Sequence, residues 1–214
     1  VVALARTVGA RTVVDGVAYA PHLPMRVAEW GVDWYAFSIY KVFGPHMAGL
    51  WGRSDALAEL EGPGHFFIPR DDVPYKFELG GVNHESCAGF LGTERYLDWL
   101  GGMERVAELE RPLTETLLGF LRTCPDVRVV GRSDAGPGRL PTVSFVHRSV
   151  SSRQIADEAD RHGFGMRWGH FYSYRLLQAM GIEPEEGVAR ISLAHTNTLE
   201  EVERWIDAMS PVLR

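Results

Sequence analysis

The sequence predicts an α/β domain over residues 1–100 followed by a smaller α+β domain over residues 101–214. Three observations carry this reading. Through residue 100, helical stretches alternate with short apolar runs of strand character, the pattern of a parallel sheet flanked by helices. Beyond it, strands are followed by amphipathic helices. Between the two stands Gly101-Gly102, a pair of residues that stops a helix. A length of 214 residues suits one large domain or two small ones and can bury a substantial core.

In the first part, Val1–Val8 reads as helix with Gly9 as its stop, and Arg11–Asp15 as a short strand ending in an acid. Residues 16–24 form a loop with two prolines, Met25–Trp30 a short helix, and Asp33–Ser38 an aromatic-rich strand. Ala48–Trp51 is a further strand, paired near the previous one, and Ser54–Leu60 a short helix. Residues 61–78 make a Gly-, Pro- and Asp-rich loop, longer than most loops in a packed domain and therefore a functional candidate. Glu85–Leu100 is helical. In the second part, Met103–Arg122 is a long helix with a kink expected at Pro112. Val127–Val130, Thr142–Val146, Phe164–Arg167 and Val188–Leu193 read as strands. Ser151 with Gln154, and Thr198 with Glu201, are capping boxes that open two helices. The second of these carries Leu199, Val202, Trp205, Ile206 and Met209 on one face.

Composition narrows the function. With 45% hydrophobic and 23% charged residues the chain is ordinary for a globular protein. A net charge of -6 with scattered Lys and Arg argues against nucleic-acid binding, which needs clustered cations. No apolar run approaches the roughly 20 residues of a membrane span, and no signal segment opens the chain. Cys87 and Cys124 are far apart and read as free thiols in a reducing cytoplasm. The eight histidines form no metal-binding spacing. The chain opens on Val1 in what reads as a helix already under way, so an N-terminal part of a longer protein is expected to lie outside it.

Two strand ends carry polar residues that a core would not select: Asp15 after Thr12-Val13-Val14, and Ser38-Ile39-Tyr40-Lys41 after the aromatic strand. Ligands of open α/β sheets bind beyond the carboxyl ends of the strands, where an Asp and a Lys can face one pocket. Taken singly, Asp15 reads as a cap and Lys41 as a surface lysine. Together they are the pair that pyridoxal 5'-phosphate requires. The amine forms a Schiff base, and the acid keeps the pyridine nitrogen protonated. The hydroxyls of Ser38 and Tyr40 suit the phosphate, and Gly44-Pro45 fixes the turn behind the lysine.

Val14-Asp15-Gly16-Val17-Ala18-Tyr19-Ala20-Pro21-His22 and Phe37-Ser38-Ile39-Tyr40-Lys41-Val42-Phe43-Gly44-Pro45-His46 resemble the class V aminotransferase family, in its cysteine desulfurase-like branch. The resemblance runs over nearly the whole chain. It implies fold type I of the pyridoxal enzymes: the latter part of the large domain in residues 1–100 and the small C-terminal domain in residues 101–214. It also implies a whole protein roughly twice as long, working as a homodimer. Asp15 matches the acid on the ring nitrogen, Lys41 the Schiff-base lysine, and Ser38 and Tyr40 the phosphate positions of Ser-x-His-Lys, with Tyr40 in place of His. Ala18 stands where many desulfurases have a Gln on the cofactor's phenolic oxygen; that contact is lost here, or Tyr19 or another residue supplies it.

Phe77-Glu78-Leu79-Gly80-Gly81-Val82-Asn83-His84 resembles the segment in which a Thr reaches the partner subunit's phosphate. Gly81 takes the Thr position, leaving the backbone N–H groups of Gly80 or Gly81 for that contact; apart from the resemblance the segment is a plain Gly-Gly turn. In the Arg-x-Ser segment, Arg190 matches the residue that grips the substrate α-carboxylate; without the resemblance it reads as an edge-strand arginine facing solvent. Arg167–Tyr172 occupies the place of the loop that carries the sulfur-accepting cysteine, with Tyr172 at that position. His170 and Tyr172 either contact substrate or pack at a domain junction. The implied activity is carbanion chemistry on a small amino acid, as a C–S lyase or β-eliminase. A class V aminotransferase or an epimerase is one alternative, and a non-catalytic relative with a binding or assembly role is another.

Overall fold

Val13–Asp15, Trp34–Ser38 and Ala48–Gly52 are the strands β1, β2 and β3 of a sheet in that order. They lie in the first of two units, Val1–Met103 and Glu104–Arg214, of the computed structural model, which describes residues 1–78 and 80–214. β1 runs parallel to β2, with Val14 opposite Tyr35. β3 pairs with β2 antiparallel, so the sheet is mixed and not wholly parallel as the sequence suggested. The reason is length: a parallel return needs a crossover of roughly a dozen residues or more, and residues 39–47 supply only a short turn.

Helices α1 (Val2–Thr7), α2 (Val27–Trp30), α3 (Ser54–Glu59) and α4 (His84–Leu100) complete this unit. The Asn83 side chain accepts from the Ser86 N–H and caps α4. Trp34, Tyr35, Val32, Ile39, Val42, Ala20 and Ala56 are buried. Asp33 ties β1 to β2. It accepts from the Thr12 N–H at 2.8 Å and the Thr12 hydroxyl at 3.0 Å, and pairs with Arg11 and Arg53 at 3.1 Å. These hydrogen bonds, the Thr12 amide first, hold its carboxyl below the usual range.

The long 61–78 loop is tethered by Lys76, which is only 3% exposed. Its ammonium donates to the carbonyls of Arg70 at 2.8 Å, Leu60 at 2.9 Å and Ala58 at 3.4 Å, and so also satisfies the end of α3. Lys76→Met is expected to cost about 1–3 kcal/mol by orphaning these carbonyls. A lower melting temperature together with faster proteolysis within the loop would register that loss; unchanged values would show that the loop is held by other contacts.

In the second unit, β4 (Val127–Val130), β5 (Thr142–His147), β6 (Arg167–Gly169) and β7 (Val188–Ser192) form an antiparallel sheet of order β4-β5-β7-β6. One face carries the core. Val143, Phe145, Ala189 and Ile191 pack with Leu113, Leu117 and Leu121 of α5 (Gly102–Thr123), Ile155 and Ala159 of α6 (Ser152–Arg161), and Val202, Trp205 and Met209 of α8 (Leu199–Leu213). Both capping boxes form, at Ser151 and Thr198. α5 runs as one helix through Pro112. A smaller cluster of Leu177, Ile182 and Val188 gathers Val146, Phe171 and Met180.

Three local expectations change. The strand expected at Phe164–Arg167 begins only at Arg167, because Gly163 is left-handed (φ 78°) and Phe164 and Met166 pack on the core from a connecting segment. Leu199 is exposed rather than on the buried face of α8, since it occupies the first position after the Thr198 cap. Tyr174–Ala179 forms a short helix, α7, that the sequence did not mark.

Candidate active site

The parallel register brings the carboxyl ends of β1 and β2 to one edge. Asp15 lies opposite Ala36, and Ser38 closes β2 just beyond. The chain then enters a 3-10 turn, Ile39–Val42. Ile39 and Val42 are buried and pin the turn, which leaves Tyr40 and Lys41 exposed between them. The Ile39 N–H donates to the Met47 carbonyl at 2.9 Å and the Gly44 N–H to the Ile39 carbonyl at 3.1 Å. Phe43, left-handed at φ 62°, ends the turn. A Cβ on Gly44 would fall 2.6 Å from the Ile39 side chain and 2.8 Å from the Thr93 hydroxyl, so the segment behind the lysine accepts only glycine.

Asp15 accepts from the Val17 N–H at 3.0 Å through one oxygen, and its other oxygen accepts no hydrogen bond among the described residues. Gly16 donates to the Ala36 carbonyl at 2.8 Å and packs so closely on Tyr35 that a Cβ would lie 1.9 Å from that ring. Burial, with smaller effects from Tyr19 and Asp15, pushes the Tyr35 phenol up to about 12, so it stays protonated and structural. The Tyr19 hydroxyl lies 3.4 Å from the Pro24 carbonyl and its ring meets Trp30 edge-on.

Lys41, Tyr40 and Ser38 make no side-chain hydrogen bond or ion pair among the described residues. Tyr40 stacks on His46, with ring centroids 4.9 Å apart and planes 25° from parallel. A free amine, a half-free carboxylate and two free hydroxyls at one sheet edge are the donor set that pyridoxal phosphate needs. Gly80 and Gly81 follow the 3-10 turn Tyr75–Phe77. At neither does any atom lie within 4 Å of where a Cβ would stand, so their backbone faces open space and the chain itself does not require glycine there. Leu79, between them and Glu78, lies outside the described residues.

In the second unit, Arg190 sits on β7, which is flanked by β5 and β6. It is therefore not the solvent-facing edge-strand residue of the plainer sequence reading. It projects opposite to Ala189 and Ile191, away from the main core. Its guanidinium lies 3.7 Å from the Phe171 ring centroid, its Nε is buried without a hydrogen-bond partner, and it makes no ion pair among the described residues. Burial first, and then Arg167, pull its proton affinity below that of an ordinary arginine. A partly buried cation without an acid is left without compensation, and a bound anion would supply it. His170 and Tyr172 lie on the loop after β6. The His170 Nδ1 accepts from the Tyr172 N–H at 3.1 Å, Phe171 and Tyr172 are left-handed (φ 49° and 61°), and the Tyr172 side chain is fully exposed.

Three neighbours of these residues escaped sequence reasoning. Arg167 lies directly opposite Arg190 on β6, Phe171 covers its guanidinium, and His46 stacks on Tyr40. The first two depend on strand register and a left-handed loop, which no local pattern encodes. Among the described residues no cluster of three metal-ligating side chains occurs, and no helix is long and apolar enough to cross a membrane.

Comparison with known proteins places these features in context. The family model for class V aminotransferases matches residues 1–205. The aminotransferase-like protein FGM3 of Gibberella zeae is 40% identical over 214 residues, covering 96% of this chain and 52% of its own length. A probable cysteine desulfurase of Mycolicibacterium paratuberculosis is 31% identical, covering 98% of this chain and 31% of its own. The apo structure of the cysteine desulfurase from Thermococcus onnurineus NA1 superposes with a TM-score of 0.86 at 26% identity, over 99% of this chain and 54% of its own. The chain thus spans about half the length, or less, of these relatives.

Proposed function

The chain belongs to the class V aminotransferase family and has the fold type I architecture of its cysteine desulfurases, and on that premise we propose that the intact protein is a pyridoxal-phosphate enzyme that cleaves the C–S bond of a cysteine derivative by elimination. Members of this family use pyridoxal phosphate. One observation carries the proposal: Lys41, without a hydrogen bond or ion pair among the described residues, follows the carboxyl end of β2, the strand that runs parallel to β1 with Asp15 at its own carboxyl end, whereas Lys76, the other lysine of the chain, is buried and bonded to three carbonyls.

When bound, pyridoxal phosphate supplies an electron sink for charge developing at the substrate α-carbon. Lys41 would hold its aldehyde carbon, Asp15 would keep the proton on its ring nitrogen, and Ser38, Tyr40 and the N–H groups of Gly80 and Gly81 would take its phosphate. Arg190 would orient the substrate carboxylate, with His170 and Tyr172 beside it on the loop, and the Lys41 amine, released when the substrate's own amine takes its place, would remove the α-proton. By family pattern the site is completed in a homodimer and by a further N-terminal portion. Cys87 and Cys124 are unpaired, in keeping with a cytoplasmic protein. The 40% identity to an aminotransferase-like protein favours a second reading, transamination, which uses the same residues up to the proton abstraction.

Elimination follows from Tyr172, which replaces a sulfur-accepting thiol: a phenol cannot hold a sulfane sulfur. Cys124 is buried, and burial pushes its thiol up. Incubation of the intact protein with cysteine should release free sulfide and pyruvate and leave both cysteine peptides unmodified after alkylation and mass spectrometry. A persulfide on Cys87, with activity lost in Cys87→Ser, would instead establish a desulfurase with a relocated acceptor. Accumulation of the oxo acid corresponding to an intact substrate side chain would establish the transaminase.

A further inference from the structure

Arg167 and Arg190 face each other across β6 and β7. Directly opposed residues of an antiparallel pair project to the same face, with Cβ atoms roughly 4.5–5.5 Å apart, and like charges there are destabilising. Neither guanidinium has an acidic partner among the described residues. Phe171 occupies one face of Arg190, so that residue offers its edge, while Arg167 is exposed and uncommitted. Ser144, opposite Arg190 on β5, adds a hydroxyl on the same face. One α-carboxylate neutralises one of these two positive charges and leaves the other.

We propose that Arg167 binds a second anionic group, so that the site takes an amino acid whose side chain ends in an acid. This rests on the reading of Arg190 as the α-carboxylate residue. For the elimination proposed above, the fitting substrate is a cysteine whose sulfur carries a carboxyalkyl group. The Lys41 amine takes the α-proton, the Cβ–S bond breaks, and the sulfur leaves with the bonding electron pair as a carboxylate-bearing thiolate. Water then converts the remaining three-carbon enamine to pyruvate and ammonia, so no oxidant or reductant is consumed.

Paired probes isolate the second charge. In the intact holoprotein, calorimetry and the visible spectrum would compare S-carboxymethylcysteine with S-carbamoylmethylcysteine, and aspartate with asparagine. The acidic member of each pair should bind roughly tenfold or more tightly at low salt, and the preference should shrink as salt rises. Arg167→Gln should erase the preference while leaving the neutral ligands unchanged, and Arg167→Lys should restore part of it. Equal binding within each pair overturns the proposal. Equal weakening of acidic and neutral ligands by Arg167→Gln also overturns it, because both arginines would then grip one carboxylate. Arg190→Lys should weaken all four ligands; if it weakens none, the underlying reading of Arg190 fails and the proposal fails with it, a result separable from the other two.

Discussion

Lys41→Ala is expected to abolish activity in the intact protein and to remove its visible absorbance band. The turn Ile39–Val42 is anchored by two buried side chains, so the lysine is presented from a fixed backbone and its amine is free of competing acceptors. On the proposed reading, removing it takes away both the covalent tether and the base that reaches the α-carbon. Because Lys41 is exposed, the variant should fold and melt like the parent, which separates loss of chemistry from loss of structure. Borohydride reduction of the parent followed by peptide mapping should place the adduct on Lys41. An adduct on Lys76 would refute the assignment outright, and would also require that residue to leave its three carbonyls. A parent protein that shows no visible band, even after addition of pyridoxal phosphate, would leave only a binding or assembly role.

Much of this was legible in the sequence where local chemistry decides structure. Both capping boxes are reciprocal side-chain and backbone contacts over three residues, and both form. The β2 strand and the polar end that follows it are a local pattern too. The failures share one cause, which is dependence on distant partners. The orientation of β3 is set by the length of its connection, and the burial of Lys76 by carbonyls from segments before and after the loop. Arg190 was singled out as the arginine of the Arg-x-Ser segment, yet its environment comes from Arg167 and Phe171, which reach it only through the β6–β7 register and a left-handed turn. The stack of His46 on Tyr40 likewise depends on the return of the chain after Gly44-Pro45.

Asp15→Asn is expected to leave the cofactor bound while slowing turnover by about a hundredfold or more. The geometry predicts retention. The Asp15 backbone is fixed by the β1–β2 register and by Gly16 pressed on the Tyr35 ring, and an Asn oxygen can still accept the Val17 N–H. What changes is charge. The carboxylate oxygen without a protein partner is the group that can hold a proton on a pyridine nitrogen, and an amide cannot stabilise that cation. A neutral ring withdraws electrons poorly, so removal of the α-proton by Lys41 becomes slow while substrate binding at Arg190 is untouched. The loss should therefore fall on kcat, with KM little changed, and a deuterium label at the substrate α-carbon should report a larger isotope effect as proton abstraction becomes rate-limiting. Near-normal turnover would exclude Asp15 from the ring nitrogen. A variant that no longer retains cofactor would make the carboxylate a binding group rather than an electronic one, and a partial return of cofactor affinity in Asp15→Glu, which keeps the charge but shifts its reach, would confirm that second assignment.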